Sequence, residues 1–289
     1  MTRLHFVAPA SAVPQGGPRL VSVLSGKGGV GKSILAFNLA ERLAALGLRV
    51  LAVDGDVYGG NLHILANRAC AVGIGEFIDR RLSLAECRTP LAERLDLLGV
   101  SPRLCDPEAW SAGTVGSMLK RLRAEGAAYD VIVCDHSSGR SRIATLIAHG
   151  SEINLLVVVP ELTSISDCYG LFKHIRQARA DIACRLVINR AADAEEAQYL
   201  HQKFGAVTER FLGEGLRCLG FVPEDAAVRT AVAAQQPLAA AAEHSLAVQA
   251  LTRMARSLVR ELTPEGADRC GLFTLADDKV NPAEADIRK

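Results

Sequence analysis

The sequence predicts an α/β fold, a predominantly parallel central sheet with helices on both faces, and three observations carry that prediction. Six short runs rich in Val, Leu and Ile, at 20–24, 50–53, 131–134, 155–159, 186–188 and 219–222, are apolar throughout rather than alternating, as strands covered on both faces are. Between them lie segments with apolar residues at three-to-four spacing, such as Ile34, Phe37, Leu39, Leu43 and Leu46, closed by Gly47 and followed directly by the next run. The residues with the most chemistry stand just beyond the runs, where right-handed strand–helix–strand units place their loops.

Taken in order, residues 1–18 lack the long apolar core of a signal peptide and break on Pro and Gly, which predicts a flexible N-terminal segment and a cytoplasmic chain. The first run leads into Ser25-Gly26-Lys27-Gly28-Gly29-Val30-Gly31-Lys32-Ser33, which fits GxxxxGK[ST] and precedes a helical pattern. In such a loop glycines let backbone N–H groups turn toward phosphate oxygens and the helix start adds its positive end. Lys32 then reaches the β and γ phosphates, and Ser33 ligates Mg²⁺. Lys27 adds a second cation, more than a nucleotide held by one chain requires. The residues leave two readings of it: a lysine that serves a phosphate across an interface, and a solvated loop lysine.

The second run ends in Asp54-Gly55-Asp56-Val57-Tyr58-Gly59-Gly60-Asn61, where two carboxylates two residues apart share one side of an extended chain. One suits a metal shell and the other can orient a water toward a γ-phosphate. The third run ends in Asp135-His136-Ser137-Ser138-Gly139. Asp135 is the expected second anchor of Mg²⁺, acting through water, Gly139 lets the loop sense the γ-phosphate, and His136 reads as a loop residue. A last helical pattern sets Leu246, Leu251, Met254, Leu258 and Leu262 roughly along one face, with Arg253, Arg256 and Arg260 elsewhere, as in a helix packed on the body with solvated arginines. With no Pro/Gly/Ser-rich linker in the middle, one domain is expected over 19–262, followed by a polar tail over 263–289.

Lys plus Arg total 33 against 32 Asp plus Glu in 289 residues, so no global field holds nucleic acid or an anionic membrane by charge alone. The eight cysteines (Cys70, Cys87, Cys105, Cys134, Cys168, Cys184, Cys218, Cys270) stand singly, without the CxxC pairs that clamp zinc or an iron–sulfur cluster, and read as reduced thiols in or near a core. No stretch reaches the ~18 uninterrupted apolar residues of a membrane span.

With Lys27, Asp54, Asp56, Asn61 and Asp135 in place, the sequence resembles the MinD and ParA family of deviant P-loop ATPases from about Leu20 to about Leu262. Later segments narrow the likeness. Pro160-Glu161-Leu162-Thr163-Ser164-Ile165-Ser166-Asp167, Asn189-Arg190, Phe211-Leu212-Gly213, Leu219-Gly220-Phe221-Val222-Pro223-Glu224-Asp225 and Ala231-Val232-Ala233-Ala234-Gln235-Gln236-Pro237-Leu238 are similar to the flagellar-number regulator branch called FlhG, FleN or YlxH.

The resemblance implies ATP or ADP and Mg²⁺ as cofactors, slow partner-stimulated hydrolysis of ATP, and an ATP-dependent homodimer. By the same match Gly26, Lys27, Gly28, Gly29, Val30, Gly31, Lys32, Ser33 and Ile34 hold phosphates, with Lys27 reaching the nucleotide of the partner copy. Ser33, Asp54 and Asp135 serve the metal, Asp56 positions the attacking water, and Lys27, Lys32 and Asp56 form the catalytic set. Asn189, Arg190, Pro223, Glu224 and Asp225 lie near the adenine, and Glu161 and Asp167 near the dimer face. The implied role is control of the number or placement of flagella or another polar structure through a protein partner, in the cytoplasm or peripherally at the inner membrane or pole. Two alternatives stay open: a positioning ATPase for another cargo (division site, chromosome, secretion or chemosensory complex), and a nucleotide-binding adaptor without turnover. Nucleic acid is not an expected partner, and membrane contact is left open. Departures from the family pattern are Asp54-Gly55-Asp56 in place of DAD, Asp135 to Gly139 in place of DTGAG, and a missing glutamine-containing activator segment at the N-terminus. The polar carboxyl end, with only Leu272, Phe273 and Leu275 as an apolar knot, lacks an evident membrane-binding helix.

Overall fold

Strand residues that are apolar at every position have to be covered on both faces, and the two faces of this sheet divide them by parity. The computed structural model describes residues 17–56, 59–79, 81–101 and 110–262. In chain order the elements are β1 (Arg19–Leu24), α1 (Lys32–Ala45), β2 (Val50–Asp54), α2 (Leu62–Leu65), α3 (Ile74–Ile78), α4 (Leu84–Cys87), β3 (Thr89–Ala92), β4 (Leu95–Leu98), α5 (Ala112–Glu125) and β5 (Val131–Asp135). They continue with α6 (Arg142–His149), β6 (Ile153–Val158), α7 (Leu162–Ala178), β7 (Cys184–Ala191), α8 (Ala194–Leu212), β8 (Cys218–Pro223), α9 (Ala226–Ala233), α10 (Leu238–Ala242) and α11 (Leu246–Leu262).

The strands lie in the order β3-β4-β2-β5-β1-β6-β7-β8, parallel throughout except for the antiparallel pair β3 and β4 at one edge. Val21, Val23, Val131, Val133, Leu155 and Val157 face α1 and α11 in one core cluster. Their neighbours Leu20, Leu24, Ile132, Cys134, Leu156 and Val158 face the other way, toward helices that include α5, α6 and α7. The α/β fold with a mainly parallel sheet covered on both sides is therefore the fold the sequence predicts.

Two strands escape the sequence pattern. Leu95-Asp96-Leu97-Leu98 is fully inside the sheet although Asp96 interrupts it, because the Tyr129 hydroxyl donates to Asp96 Oδ2 at 2.6 Å and Arg88 pairs with the same carboxylate. Its partner β3 contains Pro90, which an edge strand tolerates. The last helix needs one correction: Leu251, Met254, Leu258 and Leu262 are buried, whereas Leu246 is 63% exposed, because the inward face begins one residue later at Ala247 and Val248.

Cys70, Cys87, Cys134, Cys168 and Cys184 are buried free thiols and Cys218 is half-buried, so these six behave as read; Cys105 and Cys270 lie outside the described residues. So do Val57 and Tyr58, the expected N-terminal segment apart from Gly17 and Pro18, and the tail with Leu272, Phe273 and Leu275. Among the described residues no helix is long and apolar enough to cross a membrane.

Candidate nucleotide site

The parallel sheet brings the ends of β1, β2 and β5 side by side, with Asp54 opposite Asp135 in the β2–β5 register and Val23 opposite Asp135 in the β1–β5 register. Between β1 and α1 runs the glycine-rich loop. Gly31 turns the chain into α1 at φ +83, a left-handed conformation that favours glycine. A Cβ there would also fall 2.4 Å from Asn189 Nδ2, which donates to the Val30 carbonyl at 2.7 Å and so braces the loop from the end of β7. Gly26 has a different reason to be glycine. Its missing Cβ would lie 2.2 Å from the Asp167 carbonyl carbon, so the backbone of α7 rests directly on the first turn of the loop.

The two loop lysines behave in opposite ways. Lys32 turns inward: its side chain is 9% exposed, and Nζ donates to Asp135 Oδ1 at 2.8 Å and lies 3.5 Å from Ser33 Oγ. Lys27 sits on the rim, 37% exposed, where Nζ donates to Glu161 Oε2 at 2.6 Å and to Thr163 Oγ1 at 2.9 Å at the start of α7. That contact holds the Glu161 carboxyl below its ordinary range.

The carboxylates also differ. Asp54 is fully buried, and its two oxygens accept backbone N–H bonds from Leu62 at 3.0 Å and Asp56 at 3.3 Å, fixing the turn into α2. Burial, reinforced by the neighbouring Asp135, pushes its carboxyl up to about 7. Burial raises Asp135 as well, against the pull of Lys32. Asp135 Oδ2 is buried and makes no hydrogen bond among the described residues. Asp56 is only half-buried, with Oδ1 accepting from the Gly59 N–H at 3.3 Å.

Beyond Asp135, the Gly139 N–H donates to the Ser25 carbonyl at 2.8 Å, which sets the following loop on the phosphate loop. His136 stands in the loop after β5, as its sequence neighbourhood suggests, but its side chain turns inward. It is fully buried, with Nε2 2.9 Å from Ser22 Oγ, and burial with Lys32 nearby holds the imidazole down to about 3. No periodicity reveals this, because a single polar residue after a strand can fold in or out.

The residues expected near a base lie at the ends of β7 and β8. A cleft of about 320 Å³ is lined by Val159, Pro160, Glu161, Arg190, Ala192, Glu196 and Glu224. Arg190, at φ +59, donates from Nε to Glu224 Oε2 at 2.9 Å. Asn189 reaches the loop rather than this cleft's lining, and Pro223 ends β8 opposite Ala191. Asp225 is committed to backbone: Oδ1 accepts from Ala227 N at 2.9 Å to cap α9, and Oδ2 accepts from Ala247 N at 3.2 Å at the head of α11. Sequence reasoning misses Thr163 and Glu196, ordinary polar letters that only the approach of α7 and α8 brings to the site.

A glycine loop with an inward lysine, a hydroxyl at the helix start and two buried carboxylates at neighbouring strand ends can hold the phosphates of a nucleotide. The donor set also fits a hard cation. Ser33 Oγ and Asp135 Oδ2, which has no hydrogen bond among the described residues, offer oxygen, and the carboxyls of Asp54 and Asp135 are raised chiefly by burial, which a bound cation would oppose. Among the described residues no three His, Cys, Asp or Glu side chains group around a possible ion.

Comparison with known proteins points the same way. Antiactivator FleN of Pseudomonas aeruginosa is 29% identical over 259 residues, spanning 86% of this chain and 90% of that protein. An iron–sulfur cluster carrier protein of Deinococcus radiodurans is 28% identical over 270 residues, spanning 90% and 76%. The septum site-determining protein MinD of Pyrococcus horikoshii, solved in complex with Mg-ADP, superposes with a TM-score of 0.70 at 22% identity over 86% of this chain and 98% of that one. The model of the CobQ/CobB/MinD/ParA nucleotide binding domain matches residues 21–238, and the chain belongs to that family.

Proposed function

We propose that the chain is a slow ATPase that works as an ATP-gated dimerisation switch, and that it controls the number or placement of flagella or another polar structure through a protein partner. The observation that carries the reading is the divergence of the two loop lysines. Lys32 closes on Asp135 inside its own chain, while Lys27 stands on the exposed rim and is held, among the described residues, by Glu161 and Thr163. A cation placed outside the chain's own phosphate cradle is available to a phosphate of a second copy.

In this reading the backbone N–H groups of the loop and Lys32 grip the phosphates, and Ser33 and Asp135 would hold Mg²⁺. Asp54, its oxygens already taken by backbone, adds charge behind them. Magnesium, when bound, neutralises phosphate charge. Asp56, the least buried of the three carboxylates, can accept a proton from an attacking water or orient it. The cleft beside Arg190 and Glu224 takes the base. The likeness to antiactivator FleN, a name of the branch that the later segments resemble, supports the flagellar assignment.

Light scattering of the Asp56→Ala protein with Mg-ATP tests the switch. A doubling of mass with ATP but not ADP, lost in Asp56→Ala/Lys27→Ala, is the expected result. A monomer under every nucleotide condition overturns it. Capture of a defined flagellar regulator by the ATP-locked protein, and not by the ADP form, tests the cargo.

A further inference from the structure

We propose that His136 is a positioning residue: its imidazole, donating through Nε2–H, anchors the root of the 136–141 segment to β1 and to the end of α6, and so confines any response of that segment to nucleotide to residues 137–141. The inference rests on the nucleotide reading above, but on different contacts.

The direction of the buried contacts sets the role of the ring. Ser151 has one hydroxyl proton and donates it to the Ile147 carbonyl at 2.9 Å. The 2.7 Å contact between Ser22 and Ser151 then runs from the Ser22 hydroxyl to Ser151 Oγ. Ser22 has spent its proton, so the 2.9 Å contact with His136 runs from Nε2–H to Ser22 Oγ. Ser22, Ser151 and His136 are all buried, and Nδ1 makes no hydrogen bond among the described residues, so the ring is the Nε2–H tautomer with a bare lone pair on Nδ1.

These contacts close a loop of the chain. His136 is the first residue after β5, Ser22 lies within β1, and Ser151 follows α6. The start of the β5–α6 connection and the residue pair that follows α6 are thereby tied to the same point of the sheet. Ser141 caps α6, and before it, among the described residues, the tip is held by the backbone bond from Gly139 to Ser25. A change at the phosphate loop reaches the tip directly, while the root stays fixed by buried side chains.

Gly55 belongs to the same arrangement. Its N–H donates to the Asp135 carbonyl at 2.8 Å, and a Cβ on it would stand 2.7 Å from that oxygen, 3.1 Å from Cys134 Sγ and 3.3 Å from His136 Nδ1. The glycine between Asp54 and Asp56 and the histidine after Asp135, both departures from the pattern of the family, are thus two sides of one close contact. Through it the root is seated against the segment that carries Asp56.

Hydrogen exchange with and without Mg-ATP, on the full chain, tests the idea in wild type, His136→Ala, His136→Asn and His136→Gln. Gln alone places an N–H donor at the reach of Nε2. In wild type and His136→Gln the nucleotide-dependent change stays within 137–141; in His136→Ala and His136→Asn it spreads into α6. In turnover, the Ala and Asn variants lose about tenfold or more in kcat with ATP affinity held within about threefold, and Gln restores most of the loss. Equal behaviour of Gln and Ala, or an unchanged kcat in Ala, overturns the proposal. Where a variant does not fold, ¹⁵N spectroscopy of the wild-type histidines decides: a proton on Nε2 supports the assignment and a proton on Nδ1 sinks it. Wild-type protein that binds no ATP defeats the nucleotide reading instead, whatever the tautomer.

Discussion

Two carboxylates and one ammonium share the buried space at the ends of β2 and β5, and the count of charge is one cation short. Asp54 feels this most, because burial and Asp135 push its carboxyl from 3.8 to about 7. The folded chain then holds a proton that the unfolded chain has released over the interval between those values, so folding takes up a proton there. Stability from this group is full below the unfolded value, falls as pH rises toward 7, and changes little beyond it. For metal-free protein in chelator, urea titrations at pH 5 and pH 8 should show a loss of about 2–4 kcal/mol traceable to Asp54. The loss should largely vanish in Asp54→Asn, and a wild-type pH slope equal to that of the variant would show that Asp54 is ionised throughout. The sequence displayed the three charged letters, but not this imbalance. Spacing says which side of a strand a carboxylate faces, whereas the depth of Asp54 and the inward turn of Lys32 depend on what packs above them. The partners of His136 and Asp225 stayed hidden for the same reason: a polar residue after a strand looks alike whether it meets solvent, a buried serine or two backbone N–H groups.

Parity along the strands and three-to-four spacing along the helices made most of the layered architecture legible. Six of the eight strands stand where apolar runs predicted them, because a strand covered on both faces is mostly apolar on both, with few polar residues such as Ser22 and Asn154 inside. The edge pair β3 and β4 was invisible for complementary reasons, a proline in one strand and a neutralised aspartate in the other. Within α11 the face was read correctly save for its first residue. Leu258 is fully buried against α1 and the sheet, so Leu258→Ala should cost about 2–5 kcal/mol in chemical denaturation. Leu246→Ala, at a position 63% exposed, should stay within about 0.5 kcal/mol. A large cost at Leu246 would return that residue to the core face. The contact of α7 with the phosphate loop gives a sharper case. Gly26→Ala forces a Cβ to within 2.2 Å of α7 backbone, which no rotamer relieves, so the loop or the helix has to move. ATP affinity in that variant should fall by at least tenfold while Gly28→Ala, whose nearest neighbour is a serine hydroxyl at 3.5 Å, loses less before nucleotide is considered in thermal stability.

On the proposed function, nucleotide grip and pairing of copies make separable demands on the chain: Lys32 serves the first from inside, and Lys27, on the rim beside Glu161 and Thr163, serves the second. Thermal unfolding can tell them apart. In the Asp56→Ala background, chosen to keep ATP intact, Mg-ATP at about a hundred times its Kd should stabilise a monomer by about 2.7 kcal/mol, or about 5–10 °C in Tm. Pairing adds a second effect that ligand binding alone lacks: a Tm that rises with protein concentration at saturating ATP. Adding Lys27→Ala should erase the concentration dependence and keep most of the ligand shift, because its Nζ contacts only Glu161 and Thr163 within the chain. Adding Lys32→Ala should erase both, because without the inward cation the phosphates meet Asp54 and Asp135 unopposed. A Lys27 variant whose ATP shift disappears along with the concentration dependence would place that lysine in its own chain's phosphate site, and the exposed rim position would then describe only the nucleotide-free protein.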